Sequence, residues 1–168
     1  LFTGTRGTGK TTAAKVFSRA INCLNPVDGN PCMKCRSCLD NGGMDIVELD
    51  AASNNGVEYI RDIKEKVQYA PGSSKYKVYI IDEVHMLSQS AFNAFLKTLE
   101  EPPAHAVFIL CTTEAYKIPQ TILSRCMRFD FKLVGVDKLE ALVGDVLVRS
   151  GKSFTPEAIN AVAVAGEG

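Results

Sequence analysis

Gly4-Thr5-Arg6-Gly7-Thr8-Gly9-Lys10-Thr11 stands at the start of the chain with the spacing G-x-x-x-x-G-K-T, between an apolar stub and a helical run. The spacing has a mechanism. Glycines let the backbone turn its N–H groups inward around phosphate oxygens, and the helix that follows points the positive end of its dipole at them. Gly4, Thr5, Gly7, Thr8, Gly9, Lys10, Thr11 and Thr12 are therefore the expected lining of a nucleoside triphosphate site. Lys10 is placed to reach the β- and γ-phosphates, and Thr11 to hold Mg²⁺ through its hydroxyl.

A second polar group lies far along the chain. Val78-Tyr79-Ile80-Ile81 is an apolar run that delivers Asp82 and Glu83 at its end, the edge of an open α/β sheet where ligands bind. Asp82 is expected to orient Mg²⁺ and its waters, and Glu83 to polarise the water that attacks the γ-phosphate. An acid poised on water favours hydrolysis over transfer to a second substrate. The apolar run from Ala106 to Cys111 ends in Thr112-Thr113, which brings hydroxyls to the same edge to sense the γ-phosphate or the attacking water. His85 is read as structural and Met86 and Leu87 as core; Arg125, taken alone, is a surface arginine.

Four of the six cysteines, Cys23, Cys32, Cys35 and Cys38, form a C-x8-C-x2-C-x2-C cluster with Pro26, Gly29, Asn30 and Pro31 turning the longer spacer. Four thiolates so spaced suit one closed tetrahedral Zn²⁺ site with no position left for water, hence a structural role. Such an ion contributes roughly 10–16 kcal/mol of apparent binding energy to ordering a segment with little core of its own. A redox pair at Cys35 and Cys38 is the rival reading. Cys111 is expected to be a buried small apolar residue.

These side chains need a scaffold, and apolar periodicity describes one. A helix from Lys10 to Asn22 carries Ala13, Ala14, Val16, Phe17, Ala20 and Ile21 against a sheet. Asp45 to Leu49 alternates as a strand; Val57, Ile60, Ile63 and Val67 mark a helical stripe; Ala70 to Ser74 breaks the chain. A buried strand at Lys77 to Ile81, a helix from Gln89 to Glu100 stopped by Pro102-Pro103, a strand from Ala106 to Leu110, a short helix at Gln120 to Leu123 and a strand at Met127 to Phe131 follow. Strands alternating with helices predict an α/β fold, a parallel sheet covered on both faces. From Val136 the pattern is helical only, so residues 1–134 are expected as a nucleotide-binding domain and 135–168 as the start of a small helical one. With three residues before its phosphate loop, where a strand has about five or six, the chain is expected to be part of a longer one.

The bulk numbers narrow the class. The 168 residues are 46% hydrophobic, enough for one full core, and hold no apolar run of the roughly 18 residues a membrane span needs. A cytoplasmic protein without membrane contact is the expectation. Lysine plus arginine and aspartate plus glutamate both number 19, so any nucleic-acid contact must be local or shared with partners.

The phosphate loop, the four-cysteine insertion, Ile81-Asp82-Glu83-Val84-His85-Met86-Leu87, Leu99-Glu100-Glu101-Pro102-Pro103 and Ile122-Leu123-Ser124-Arg125-Cys126 together resemble one family along nearly the whole chain. It is the gamma/tau subunits of bacterial DNA polymerase III, the AAA+ motors of the sliding-clamp loader. The resemblance implies a P-loop AAA+ sheet with a zinc module at about 23–38 and a helical lid, truncated at both ends relative to the family, and ATP as the nucleotide. Lys10, Thr11, Asp82 and Glu83 match the two nucleotide motifs and Thr113 the sensor threonine. Arg125 matches the arginine finger that completes a neighbouring subunit's ATP site, a device worth about 10³–10⁵ in rate. The implied partners are other clamp-loader subunits in a hetero-pentameric ring, the sliding clamp, primer-template DNA, and the polymerase III core through regions outside this chain. Helix N-termini follow DNA in that ring, so Ser53-Asn54-Asn55, read as a helix cap, is expected to face DNA phosphates. The alternatives are a non-hydrolysing, zinc-stabilised scaffold subunit of the same ring and another P-loop enzyme, such as a nucleotide kinase.

Overall fold

A strand covered on both faces must be apolar at successive positions, and β3 (Lys77–Asp82) meets that demand with Val78, Tyr79, Ile80 and Ile81 all buried. The computed structural model describes residues 1–40 and 43–166. In it β3 pairs in parallel with β2 (Ile46–Asp50) and β4 (Ala106–Thr112). The sheet continues in parallel through β1 (Phe2–Gly4) to β5 (Phe129–Phe131), in the order β2-β3-β4-β1-β5. This is the parallel sheet covered on both faces that the alternation of strands and helices predicts.

Each face has its own core. On one, Val78 and Ile80 of β3 meet Ile109 and Cys111 of β4 and Ala14 of helix α1 (Lys10–Ile21). On the other, Tyr79, Ile81 and Leu110 pack with Ile60 and Ile63 of α3 (Val57–Lys66), Phe92 and Phe95 of α4 (Gln89–Glu100) and Ile122 of α5 (Gln120–Leu123). Phe108 stacks on Tyr79 with ring centroids 5.4 Å apart and receives the edge of Phe95 at 5.2 Å. Between α1 and β2, the short helix α2 (Arg36–Leu39) ends the cysteine segment.

Several details depart from expectation. The face that α1 turns to the sheet is made of small residues, Ala14 and Ser18, while Val16 and Phe17 lie exposed. Small side chains let the helix lie close over β3, and Ser18 satisfies its hydroxyl by donating to the Ala14 carbonyl one turn back. Ser53 and Asn54 do not cap α3, which starts at Gly56 without a side-chain cap; both bond to Asp50, Ser53 to its carboxylate and Asn54 to its carbonyl. Leu87 is buried as expected, but Met86 is exposed. Strand β5 begins two residues later than the apolar pattern suggests.

The expected break at Ala70–Ser74 is an anchored turn. Buried Asp45 accepts the Gly72 N–H at 2.8 Å on one oxygen and the Ser73 and Ser74 N–H groups at 3.0 and 2.9 Å on the other. Beyond β5, helices α6 (Val136–Arg149) and α7 (Pro156–Ala165) pair with each other, with Asn160 donating to Glu140 at 2.6 Å.

Burial works to raise the Asp45 pKa, but its backbone donors at Ser73, Gly72 and Ser74 outweigh it and hold the carboxyl below its usual value. A lowered folded pKa contributes stability that is complete above the unfolded value of about 3.9 and is lost as pH falls through the folded value. Asp45→Asn should therefore cost about 1–3 kcal/mol in urea unfolding at neutral pH, with the gap to wild type closing below pH ~4. Equal midpoints at pH 7 would contradict this.

Candidate functional site

The phosphate loop is built by backbone geometry. Gly9, the residue before α1, has φ of 83°, the left-handed region that a side chain disfavours. Gly4 is fixed by contact: a Cβ there would stand 2.2 Å from the Phe131 carbonyl oxygen of β5. Thr8 donates to the Thr5 carbonyl at 2.8 Å and closes the loop on itself. Lys10 is only 6% exposed, and its ammonium donates to the Gly4 and Thr5 carbonyls at 2.9 and 2.7 Å. The cation thus lies within the loop, where the first turn of α1 also aims its dipole. Thr12, by contrast, is exposed on that turn.

One residue past Lys10, Thr11 donates its hydroxyl to Asp82 Oδ2 at 2.7 Å, across 71 residues of sequence. The two motifs read separately from the sequence therefore meet. Asp82 accepts the Glu83 N–H on its other oxygen at 2.9 Å. Glu83 has φ of 45°, left-handed for a residue with a side chain, so the chain turns sharply and sends its carboxylate toward β4. There Glu83 Oε2 accepts the Thr113 hydroxyl at 3.0 Å and the Thr113 N–H at 3.3 Å. Of the threonine pair, Thr113 holds Glu83, while Thr112 turns to His85.

His85, read from the sequence as structural, is held in this polar group by contacts on both sides of its ring. Its side chain is 6% exposed and both ring nitrogens face polar groups. Nδ1 stands 3.0 Å from Thr112 Oγ1 and 3.3 Å from Glu83 Oε2, and Nε2 stands 3.0 Å from Glu114 Oε2. The signal was its place three residues beyond Asp82, on the short turn Val84–Met86 at the polar end of an apolar strand. Glu114 also holds Lys117 at 2.8 Å and accepts from Tyr116, which together keep its carboxyl below the usual range.

Arg125 stands apart from this group. It follows α5, donates to the Thr121 carbonyl and pairs with Glu100 at the end of α4; among the described residues none of its hydrogen bonds reaches Lys10, Thr11, Asp82 or Glu83. It also borders an apolar groove of about 550 Å³ with Phe17, Leu99 and Phe108, which is distinct from the phosphate loop.

The four clustered cysteines converge, with all their sulfurs within 4.8 Å of one another. A tetrahedron with metal–sulfur arms of about 2.3 Å has edges of roughly 3.8 Å, and the Cys23 and Cys35 sulfurs are 3.9 Å apart. The Cys32 N–H points at Cys23 Sγ and the Cys35 N–H at Cys32 Sγ, both at 3.3 Å. Backbone donors at Leu24 and Cys38 lower the Cys35 thiol to about 6, whereas burial, and then its bond with Cys35, raises Cys38 to about 12. Burial likewise raises Cys111 to about 12, in keeping with the apolar role expected of it.

With this geometry established, comparison with known proteins is decisive on family. The family model described as "DNA polymerase III, delta subunit" matches residues 1–134. The chain belongs to this family of DNA polymerase III subunits. Its curated relatives carry the names of tau and gamma subunits. DNA polymerase III subunit tau of Bacillus subtilis is 62% identical over 86% of this chain and 26% of its own length. Subunit gamma of a Buchnera aphidicola strain from Schizaphis graminum is 45% identical over 96% of this chain and 46% of its own. The chain thus spans about a quarter to a half of those relatives. Among solved structures, a DNA polymerase III gamma subunit-related protein of Thermotoga maritima superposes with a TM-score of 0.61 at 23% identity, covering 89% of this chain and 47% of that one, a likeness of fold.

The cysteine environments yield a chemical test. With a chelator present, iodoacetamide at neutral pH should label Cys35 well before Cys111, as read by peptide mass spectrometry. Comparable rates at the two positions would contradict the burial of Cys111.

Proposed function

We propose that this chain is the ATP-binding and ATP-hydrolysing part of a motor subunit of the bacterial sliding-clamp loader, within the DNA polymerase III holoenzyme. The observation that carries the reading is the hydrogen bond from Thr11, the residue after Lys10 of the loop, to Asp82 at the end of β3, with Glu83 beside Thr113 one step on. Gly4, Thr5, Gly7, Thr8, Gly9 and Thr12 belong to the loop that surrounds the phosphates. Lys10 neutralises charge on the β- and γ-phosphates by leaving the loop carbonyls for phosphate oxygens. Thr11 and Asp82 hold Mg²⁺, which supplies charge neutralisation to the transferring phosphoryl group. Glu83 accepts the proton of the attacking water, and Thr113 fixes the carboxylate through its hydroxyl and N–H.

Arg125 acts in trans. Its tie to Glu100 leaves it a third exposed, on a segment separate from its own phosphate loop, which suits a cation offered to the γ-phosphate of a neighbouring subunit. The remaining partners in this reading are the other subunits of a hetero-pentameric ring, the clamp, primer-template DNA, and the polymerase core through regions outside this chain. The setting is cytoplasmic; no helix among the described residues is long and apolar enough to cross a membrane.

Cys23, Cys32, Cys35 and Cys38 hold one structural Zn²⁺. The closeness of their sulfurs and the N–H donors aimed at Cys23 and Cys32 support this assignment. Cys23 follows Asn22, the residue that closes α1, so the ion ties the segment to the end of the helix that begins at the phosphate loop.

The deciding experiment is ATP turnover by the full-length chain assembled with its clamp-loader partners, with and without clamp and primed DNA. Arg125→Ala should cut stimulated turnover by about 10³-fold or more while ATP binding persists, and Lys10→Ala should abolish both. Turnover indifferent to clamp and DNA, or a silent Arg125→Ala, would refute the assignment. Zinc content should be one ion per chain by elemental analysis; Cys32→Ser should lose it and expose segment 23–38 to protease, whereas retention of a full equivalent would refute the four-cysteine ligand set.

A further inference from the structure

Glu100 occupies a position that its own helix does not favour. It is the last residue of α4, where unpaired carbonyls point outward and the helix dipole is negative, so a carboxylate there is repelled. Lys97, the basic residue of the same turn, forms no ion pair with it among the described residues. What Glu100 does meet is Arg125, 25 residues further on, whose Nη2 donates to Glu100 Oε1.

The arginine is held from a second side as well. Its Nη1 donates to the Thr121 carbonyl at 2.5 Å, one turn back along α5, and makes a long contact of 3.4 Å with Ser124 Oγ. Its backbone is fixed too, with the Arg125 N–H donating to the Ile122 carbonyl at 3.0 Å. Helices α4 and α5 share the core beneath through Phe92, Phe95 and Ile122, so the acid and the carbonyl stand at a set spacing. A guanidinium carries five N–H donors in a planar fork. Glu100 and Thr121 each take one from a different terminal nitrogen, and Nε–H makes no hydrogen bond among the described residues. The group is tied, yet donors remain for an anion.

We infer that Glu100 is a positioning residue for Arg125, holding the guanidinium in one place so that its remaining donors meet the γ-phosphate bound by a neighbouring subunit. The inference rests on the reading of Arg125 as a trans-acting arginine and adds how that arginine is kept in place. A long, untied arginine samples many rotamers and must give up that freedom on meeting phosphate. One tied beforehand has already done so, and the geometry that accelerates the reaction is present when the nucleotide arrives. The requirement is an acceptor oxygen at the end of α4. Stability is not its purpose: with Arg125 33% and Glu100 45% exposed, the pair adds little to folding, and the acid opposes the dipole of its helix. Glu100 makes no hydrogen bond or ion pair with Lys10, Thr11, Asp82 or Glu83 among the described residues, so its effect on hydrolysis passes through Arg125.

The test uses the full-length chain assembled with its clamp-loader partners, clamp and primed DNA, and reads ATP turnover as kcat and KM. Glu100→Ala should lower kcat about 10-fold, part of the roughly 10³–10⁵ that an arginine of this kind supplies, because the Thr121 tie remains. KM for ATP should be unchanged, since another subunit's loop binds that nucleotide. Glu100→Gln keeps an acceptor oxygen at the same reach and should return kcat to within about threefold of wild type. In the Arg125→Ala background, Glu100→Ala should bring no further loss. An unchanged or raised kcat in Glu100→Ala, no recovery in Glu100→Gln, or a full further loss in the Arg125→Ala background would each overturn the inference. So would a lowered thermal midpoint in Glu100→Ala with equal rate loss in both backgrounds, the mark of a purely structural role. An Arg125→Ala complex that turns over like wild type would defeat the trans-acting reading itself, and this inference with it.

Discussion

Strand β3 has neither a free edge nor a free face, and its register decides where the polar side chains of the molecule meet. Parallel pairing sets Ile81 opposite Leu49 on one side and Leu110 on the other, so the chain leaves the sheet with Asp82 and Glu83 level with Cys111 and Thr112, one residue short of Thr113. Because the side-chain period of a strand is two, a slip by one residue would bring Val78 and Ile80 to the face that now holds Tyr79 and Ile81. The cores on the two faces differ in shape, small over Ala14 and large under Phe92 and Phe95, and this difference forbids the slip. Packing far from the phosphate loop thereby holds the Thr11 to Asp82 contact within hydrogen-bond distance.

The polar edge created in this way is crowded with carboxylates. Asp82, Glu83 and Glu114 lie within a few residues of one another in space, and each is managed by different partners. Asp82 accepts from Thr11 and from the backbone of Glu83; Glu83 accepts from Thr113; Glu114 is neutralised by Lys117 and satisfied by Tyr116 and His85. Lys10, the cation of the loop, is solvated by backbone carbonyls. This leaves Asp82 and Glu83 apportioned by hydroxyl and N–H donors, which orient an anion without cancelling its charge.

Much of this was legible beforehand because the signals were local. Residue types that satisfy a strand buried on both faces, or a helical stripe such as Ile60, Ile63 and Val67, are fixed by neighbours a few positions away. The phosphate loop and the cysteine spacing are legible for the same reason. What escaped depended on contacts distant in sequence or on backbone sign. Nothing in the run Asp82-Glu83 announces the left-handed turn at Glu83 that divides the two carboxylates between α1 and β4. His85 gained its meaning only when Thr112 and Glu114, some thirty positions on, came to lie beside it. Val16 and Phe17 misled because apolar residues on a helix are counted inward by default, while the close approach of α1 selected Ala14 and Ser18. Arg125 is the opposite case: its own contacts, to Glu100 and Thr121, say little about a phosphate, and the role proposed for it rests on the motif around it.

The end of α1 is fastened as well as its beginning. Buried Asn22 donates to the Tyr76 carbonyl at 2.9 Å and accepts the Tyr76 N–H at 2.8 Å, a two-way clasp beside the first residue of β3. The next residue is Cys23, the first sulfur of the cluster. Twelve residues at about 1.5 Å each make α1 a stiff strut of roughly 18 Å, with the ammonium of Lys10 at one end and the cysteine cluster at the other. A strut clamped at both ends transmits force with little loss, so a load placed on the loop is felt at the clasp and at the cluster beyond it. The cysteine segment is thus mounted where an anchor would be set, bracing the far end of the helix whose near end opens from the glycine-rich loop.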